Sequence, residues 1–232
     1  MIKLRRVKYI AAFLVTVVLL AAVTGCASNS EEENTSDVIR LGVYTGGADH
    51  IMAIVGQEEG IFKKYGLQVE ITEFATGLNT VDAIVTNQSD IGLITDYAGI
   101  NRIGSTKEDC NIKIIARYTT ADDYWKFYVN SETVSKNEDL AQQGVTNVPG
   151  TLLEYYNSVV FDYANITESD RKLLNVDSEQ MALGILSNNE ASAGWLSSAS
   201  VSKAEDMGLV QFFTMKDLNL TVDAYYVAAD SS

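Results

Sequence analysis

Proline occurs once in these 232 residues, where average usage of about 5% would supply roughly a dozen. Proline-driven fibrous repeats are therefore excluded. Histidine also occurs once and cysteine twice, too little material for a disulfide scaffold, an all-protein zinc site or a Cys-His catalytic pair. Basic residues are scarce as well: 17 Lys and Arg stand against 31 Asp and Glu, a net charge of −14. Such a surface repels phosphate backbones, which removes nucleic acid from the candidate partners. What remains is ordinary for a globular protein, with 47% hydrophobic, 21% charged and 9% aromatic residues.

The cations that do exist are unevenly placed. Lys3, Arg5, Arg6 and Lys8 precede the apolar stretch Ile10 to Val23, which ends at Val23-Thr24-Gly25-Cys26. A basic flank, a short apolar core and small residues form a secretory signal, and the stretch is short of the ~20 residues that a stable span requires. The Val-Thr-Gly-Cys end resembles a bacterial lipobox. Residues 1–25 are then a cleaved signal peptide, and Cys26 is the lipidated N-terminus that holds the chain on the extracytoplasmic face of the cell membrane. Loss of the four leader cations from 17 leaves 13 against 31 acids, a mature net charge of −18. Cys110 is left without a disulfide partner and reads as a half-buried loop thiol. Residues 26–37, with Glu31-Glu32-Glu33 among Ser, Asn and Thr, have no periodicity and read as an acidic tether.

From Val38 onward, β-rich runs alternate with amphipathic segments. Strands are expected at Val38 to Val43, Gln68 to Glu73, Ile91 to Ile94 and Ile112 to Tyr118, with helices at about Asp49 to Glu59, Leu78 to Thr86 and Tyr97 to Ile103. That alternation predicts βαβ units and a mainly parallel sheet. After an aromatic strand at Tyr124 to Asn130 the pattern repeats. Ser135 with Glu138, Thr151 with Glu154 and Asp177 with Gln180 are expected to open helices. Strands are expected at Val145 to Val148, Ala191 to Trp195 and Leu209 to Thr214, and a helix at about Ser197 to Met207. The organisation predicted is α/β, with lobe one over 38–122, lobe two over 123–222 and a returning strand in 223–232.

Three stretches of lobe one carry a resemblance. They are Gly56-Gln57-Glu58-Glu59-Gly60-Ile61-Phe62-Lys63-Lys64-Tyr65-Gly66-Leu67 with Val69-Glu70, Gly77 at a helix start, and Gln88-Ser89-Asp90-Ile91-Gly92. In lobe two, Val148-Pro149-Gly150-Thr151 and Asn189-Glu190-Ala191-Ser192-Ala193-Gly194-Trp195 add to it. In order and spacing these resemble the solute-binding proteins of the nitrate, sulfonate, taurine and thiamine-precursor importers. The resemblance implies a two-lobed fold like that of type II periplasmic binding proteins, closing on a small organic or oxyanion solute. It also implies an ABC permease and ATPase as partners, a monomer, no cofactor and no catalysis. Chains of that family add helices after the returning strand, so the end of this sequence at Ser232 predicts a truncated lobe one with exposed apolar surface. The rival readings are a thiamine-pyrimidine synthesis enzyme of the same superfamily, whose cysteine-rich motif has no counterpart here, and a ligand-sensing lipoprotein without a transporter.

Ligands of open α/β sheets sit beyond the carboxyl ends of the strands, near helix N-termini. The candidate contacts at those ends are Tyr44, Thr45, Gly46 and His50; Gly77 and Asn79; Thr95, Asp96 and Tyr97; Gly150, Thr151 and Tyr155; and Trp195. His50 is either a ligand contact or a helix-start residue. Asp49 and Asp96 either bring negative charge to the cleft or complement helix N-termini. Tyr44, Tyr97, Tyr155 and Trp195 either form an aromatic box or belong to the core. Glu154 is assigned to the Thr151 cap. These loops contain no Lys or Arg, which disfavours a bare oxyanion.

Overall fold

The structure is a computed structural model and describes residues 38–45 and 47–230. The signal peptide, Cys26, the tether and Gly46 lie outside the described residues.

The first half of the chain forms β1 (Val38–Tyr44), α1 (Ala48–Glu58), a single turn α2 (Ile61–Lys64), β2 (Gln68–Phe74), α3 (Gly77–Val85), β3 (Ile91–Thr95), α4 (Asp96–Thr106) and β4 (Ile112–Ala121). It then crosses into β5 (Trp125–Val129), β6 (Gly144–Asn147), α5 (Leu152–Tyr163), β7 (Lys172–Asn175), α6 (Glu179–Ser187), β8 (Ala193–Ser197), α7 (Val201–Asp206) and β9 (Val210–Thr214). A second crossing leads to β10 (Val222–Ala229).

Two five-stranded sheets result, ordered β2-β1-β3-β10-β4 and β7-β6-β8-β5-β9. The two orders follow one plan. Each sheet has a parallel trio, and beside it a crossing strand inserted antiparallel between the trio and the last strand. The sheets are therefore mixed rather than mainly parallel, because β5 and β10 enter from the other lobe and run against their neighbours. This is the two-lobed α/β organisation expected from the sequence.

Local chemistry explains the helix starts. Thr76 accepts a hydrogen bond from the Asn79 amide at 3.3 Å and opens α3, and Thr151 accepts from Leu153 at 3.2 Å and opens α5. At α6 the cap is Ser178, which accepts from Met181 at 3.3 Å. The expected Asp177 cap is thus displaced by one residue, and Glu179 becomes the first residue of the helix. The helix expected after Ser135 is a 3₁₀ turn, Asn137–Leu140, whose Asp139 carboxylate accepts from the Ser135 amide and hydroxyl. Likewise a 3₁₀ turn, Ser198–Ser200, takes the start of the segment expected to be one helix to Met207. Strand β7 was not expected. Its four residues lie at the sheet edge with one face in solvent, so they carry little apolar pattern.

The lobes differ in their cores. The second packs Phe127, Tyr156, Val160, Phe161, Trp195 and Met215, each at most 2% exposed, into one large cluster. The first has a smaller cluster, in which Val81 and Ile84 of α3 meet Ile94 of β3 and Val227 of β10. It leaves Ile51, Met52, Ile54 and Val55 of α1, Ile100 of α4, and Ile114 and Ile115 of β4 exposed. No helix among the described residues is long and apolar enough to cross a membrane.

Candidate functional site

The carboxyl ends of β1 and β3 face the starts of α5 and α6 across a cavity of about 70 Å³. Lobe one contributes Tyr44, the turn Ala75-Thr76-Gly77-Leu78, Leu93, Thr95 and Ala98. Lobe two contributes Trp125, Val148, Thr151, Leu152, Leu153 and Glu179. A larger, more open space of about 730 Å³ shares Ala75, Thr76, Leu78 and Val148 with it, and is lined further by Asn79, Asp82, Arg102, Gly150 and Asp177. The site is an apolar chamber with a polar vestibule.

The turns that frame it have specific requirements. A Cβ at Gly77 would lie 3.0 Å from the Leu93 carbonyl oxygen, a tight approach that glycine avoids where α3 starts against β3. Gly150 has a φ of +74°, the left-handed region that glycine enters without cost from a Cβ. Its amide donates to Glu154 Oε2 at 2.9 Å, while the Thr151 hydroxyl donates to the Val148 carbonyl at 2.7 Å. The Pro149-Gly150-Thr151 turn is thereby fixed by its own residues.

Glu179 is the one acidic side chain in the chamber wall, and it is 4% exposed. Its Oε1 accepts from the Ser197 amide at 2.8 Å and the Ser197 hydroxyl at 2.9 Å. Its Oε2 accepts only a long hydrogen bond, 3.4 Å, from the Tyr44 hydroxyl of the opposite lobe. Burial, reinforced by the Glu179 charge, pushes the Tyr44 phenol well above its ordinary range, and the same two causes push Tyr124 up to about 12. Behind Tyr44, the buried Asp49 carboxylate accepts from the Tyr44 amide at 3.1 Å, and burial raises its pKa. A second interlobe contact is the stack of Tyr97 on Tyr155, with centroids 5.6 Å apart and planes at 17°.

Of the residues expected from the sequence, Tyr44, Gly77, Thr95 and Thr151 line the chamber, and Asn79 and Gly150 line the vestibule. Tyr97 and Tyr155 spend their faces on each other rather than forming an open box. The Thr45 hydroxyl donates to the Phe74 carbonyl at 3.2 Å on the exposed rim. His50 Nε2 sits 3.2 Å from Glu73 Oε1 and is outside the chamber wall. Asp96 accepts from the Asp223 amide at 3.1 Å, tying α4 to the returning strand. Trp195 is 1% exposed and packs against Phe127 and Tyr156 inside lobe two. Sequence reasoning missed Trp125 and Glu179. A glutamate after a helix cap looks like any surface residue, and only the meeting of α6 with β8 buries it.

Fold and cleft together define a two-lobed α/β chain of the type II periplasmic-binding-protein architecture. The chain belongs to the NMT1/THI5-like family, whose model matches residues 47–231. Among solved structures it is similar to the alkanesulfonate-binding protein SsuA from Xanthomonas axonopodis pv. citri bound to MOPS, at 12% identity and a TM-score of 0.70. It is also similar to the aliphatic sulphonate binding protein SsuA from Escherichia coli, at 16% identity and a TM-score of 0.65. Each alignment covers 83% of this chain and 65% of the other, so the chain spans about two thirds of their length. PhnD1 from Prochlorococcus marinus in complex with methylphosphonate aligns at 13% identity and a TM-score of 0.61, over 84% of this chain and 77% of that one. No curated protein matches the chain in sequence.

Proposed function

We propose that this protein is the solute-binding component of an ABC importer, capturing a small molecule in the interlobe chamber and presenting the closed form to a permease. The observation that carries this reading is the chamber itself. It lies at the strand ends of one lobe and the helix starts of the other, so a ligand there touches both and favours their closure. Structural relatives named for sulfonate and methylphosphonate binding share the fold. Residues 1–25 act as the signal peptide, Cys26 carries the lipid, and 26–37 tether lobes one (38–122) and two (123–222), with 223–232 returning to lobe one. The protein works as a monomer on the extracytoplasmic face, with permease and ATPase subunits as its partners.

Binding rather than catalysis is supported by the placement of the reactive side chains. His50 is engaged by Glu73, Cys110 packs against the first lobe's core, and neither reaches the chamber wall. Chamber residues Tyr44, Gly77, Thr95 and Thr151 would touch the solute. A thermal-shift screen of nitrate, bicarbonate, sulfonates, pyrimidines and amines tests the reading, and at least one should raise the melting temperature. A folded protein indifferent to all of them would sink it. Metabolic labelling with palmitate should mark the full chain and not Cys26→Ser.

A further inference from the structure

Resting on that reading, we infer that the chamber selects a small organic solute bearing an amine or similar N–H group, with Glu179 as the carboxylate that receives it. Oε1 of Glu179 is held by two donors from Ser197, which fixes the side chain's orientation. Oε2 has only the 3.4 Å Tyr44 hydroxyl, although a carboxylate oxygen accepts two good hydrogen bonds. The group is nearly inaccessible, aimed at a chamber and short of one donor. An ammonium or amino group supplies that donor, in a low-dielectric setting where a charge-assisted bond is roughly twice as strong as a neutral one.

The rest of the wall agrees. No Lys or Arg lines the chamber, so an anionic group there would meet Glu179 with no opposing cation. Arg102 lies in the vestibule, but its guanidinium is committed to Asp82. Fewer helix-start amides are left for an oxyanion, because Thr76 takes the Asn79 amide, Thr151 the Leu153 amide and Glu154 the Gly150 amide. Tyr44 and Trp125 place aromatic rings in the same wall, a setting that favours a cationic or nitrogenous group over an anion.

Two matched pairs test this in the full chain: ethylamine against ethanesulfonate, and benzylamine against benzenesulfonate, by titration calorimetry. At least one amine should bind, its sulfonate counterpart should not, and Glu179→Gln should weaken amine binding about tenfold or more. A sulfonate that binds as tightly as its amine overturns the inference and leaves the solute-binding reading standing. Amine binding unchanged in Glu179→Gln also overturns it. Silence from all four compounds does the same, and the wider screen then decides the transport reading by itself. Should Glu179→Gln fail to fold by circular dichroism, the paired comparison on the unaltered chain still decides.

Discussion

Arg40 and Asp90 show how single residues carry lobe one. The Arg40 guanidinium donates to Asp90 from Nε at 3.1 Å and reaches the Asn87 carbonyl through Nη1, while the Arg40 amide donates to Asp90 Oδ2 at 2.7 Å. Those donors hold the Asp90 carboxyl below the usual carboxylate range. A pKa depressed on folding stabilises the native state above the unfolded value, about 3.9, and the gain is lost as pH falls through the folded value. Urea midpoints measured between pH 6 and pH 2 should therefore decline more steeply for the native sequence than for Asp90→Asn. With Asp90 two-fifths exposed, the difference should be modest. At this scale the sequence showed part of the site. Tyr44, Gly77, Thr95 and Thr151 were legible because each stands at the end of a strand or the start of a helix. Trp195 was misleading, since an aromatic near a strand end carries no local sign of which face it occupies.

Among the elements, helix starts matter most, because the chamber is built from them. Ser178 caps α6 and so sets the position from which Glu179 reaches Ser197. Ser178→Ala should lower stability by about 1 kcal/mol in denaturant titration. An unchanged midpoint would mean that the Ser197 contacts position the helix alone. Strand and helix positions were largely legible, since apolar periodicity is a local property. What was not legible was strand direction. Nothing in Trp125–Val129 or Val222–Ala229 distinguishes a strand that runs with its neighbours from one that runs against them. That is decided by which lobe the chain arrives from. Edge strand β7 escaped for the complementary reason, since Lys172-Leu173-Leu174-Asn175 is short and does not alternate apolar with polar.

For the molecule as a whole, the proposed closure would act through the contacts that span the lobes. The Tyr97–Tyr155 stack is one of these, and aromatic pairs are worth about 0.5–1.5 kcal/mol. Tyr155→Ala should widen the ligand-free ensemble, seen as a larger radius of gyration by small-angle scattering, with unchanged secondary structure. No expansion would assign closure to the Tyr44–Glu179 bond and the crossings themselves. The crossings bear on more than closure. Strand β10 lies between β3 and β4, so β4 is not joined to the rest of its sheet until residues 222–229 are in place. Every strand of the second sheet, by contrast, comes from the continuous segment 125–214. On a chain emerging from its N-terminus, lobe two can complete itself while lobe one waits with an unzipped sheet. Pulsed hydrogen exchange during refolding should find amides of β5, β6 and β8 protected before those of β3 and β4. The lobe made first is then the one finished last, and for that interval its open strand edges are what a chaperone would have to shield.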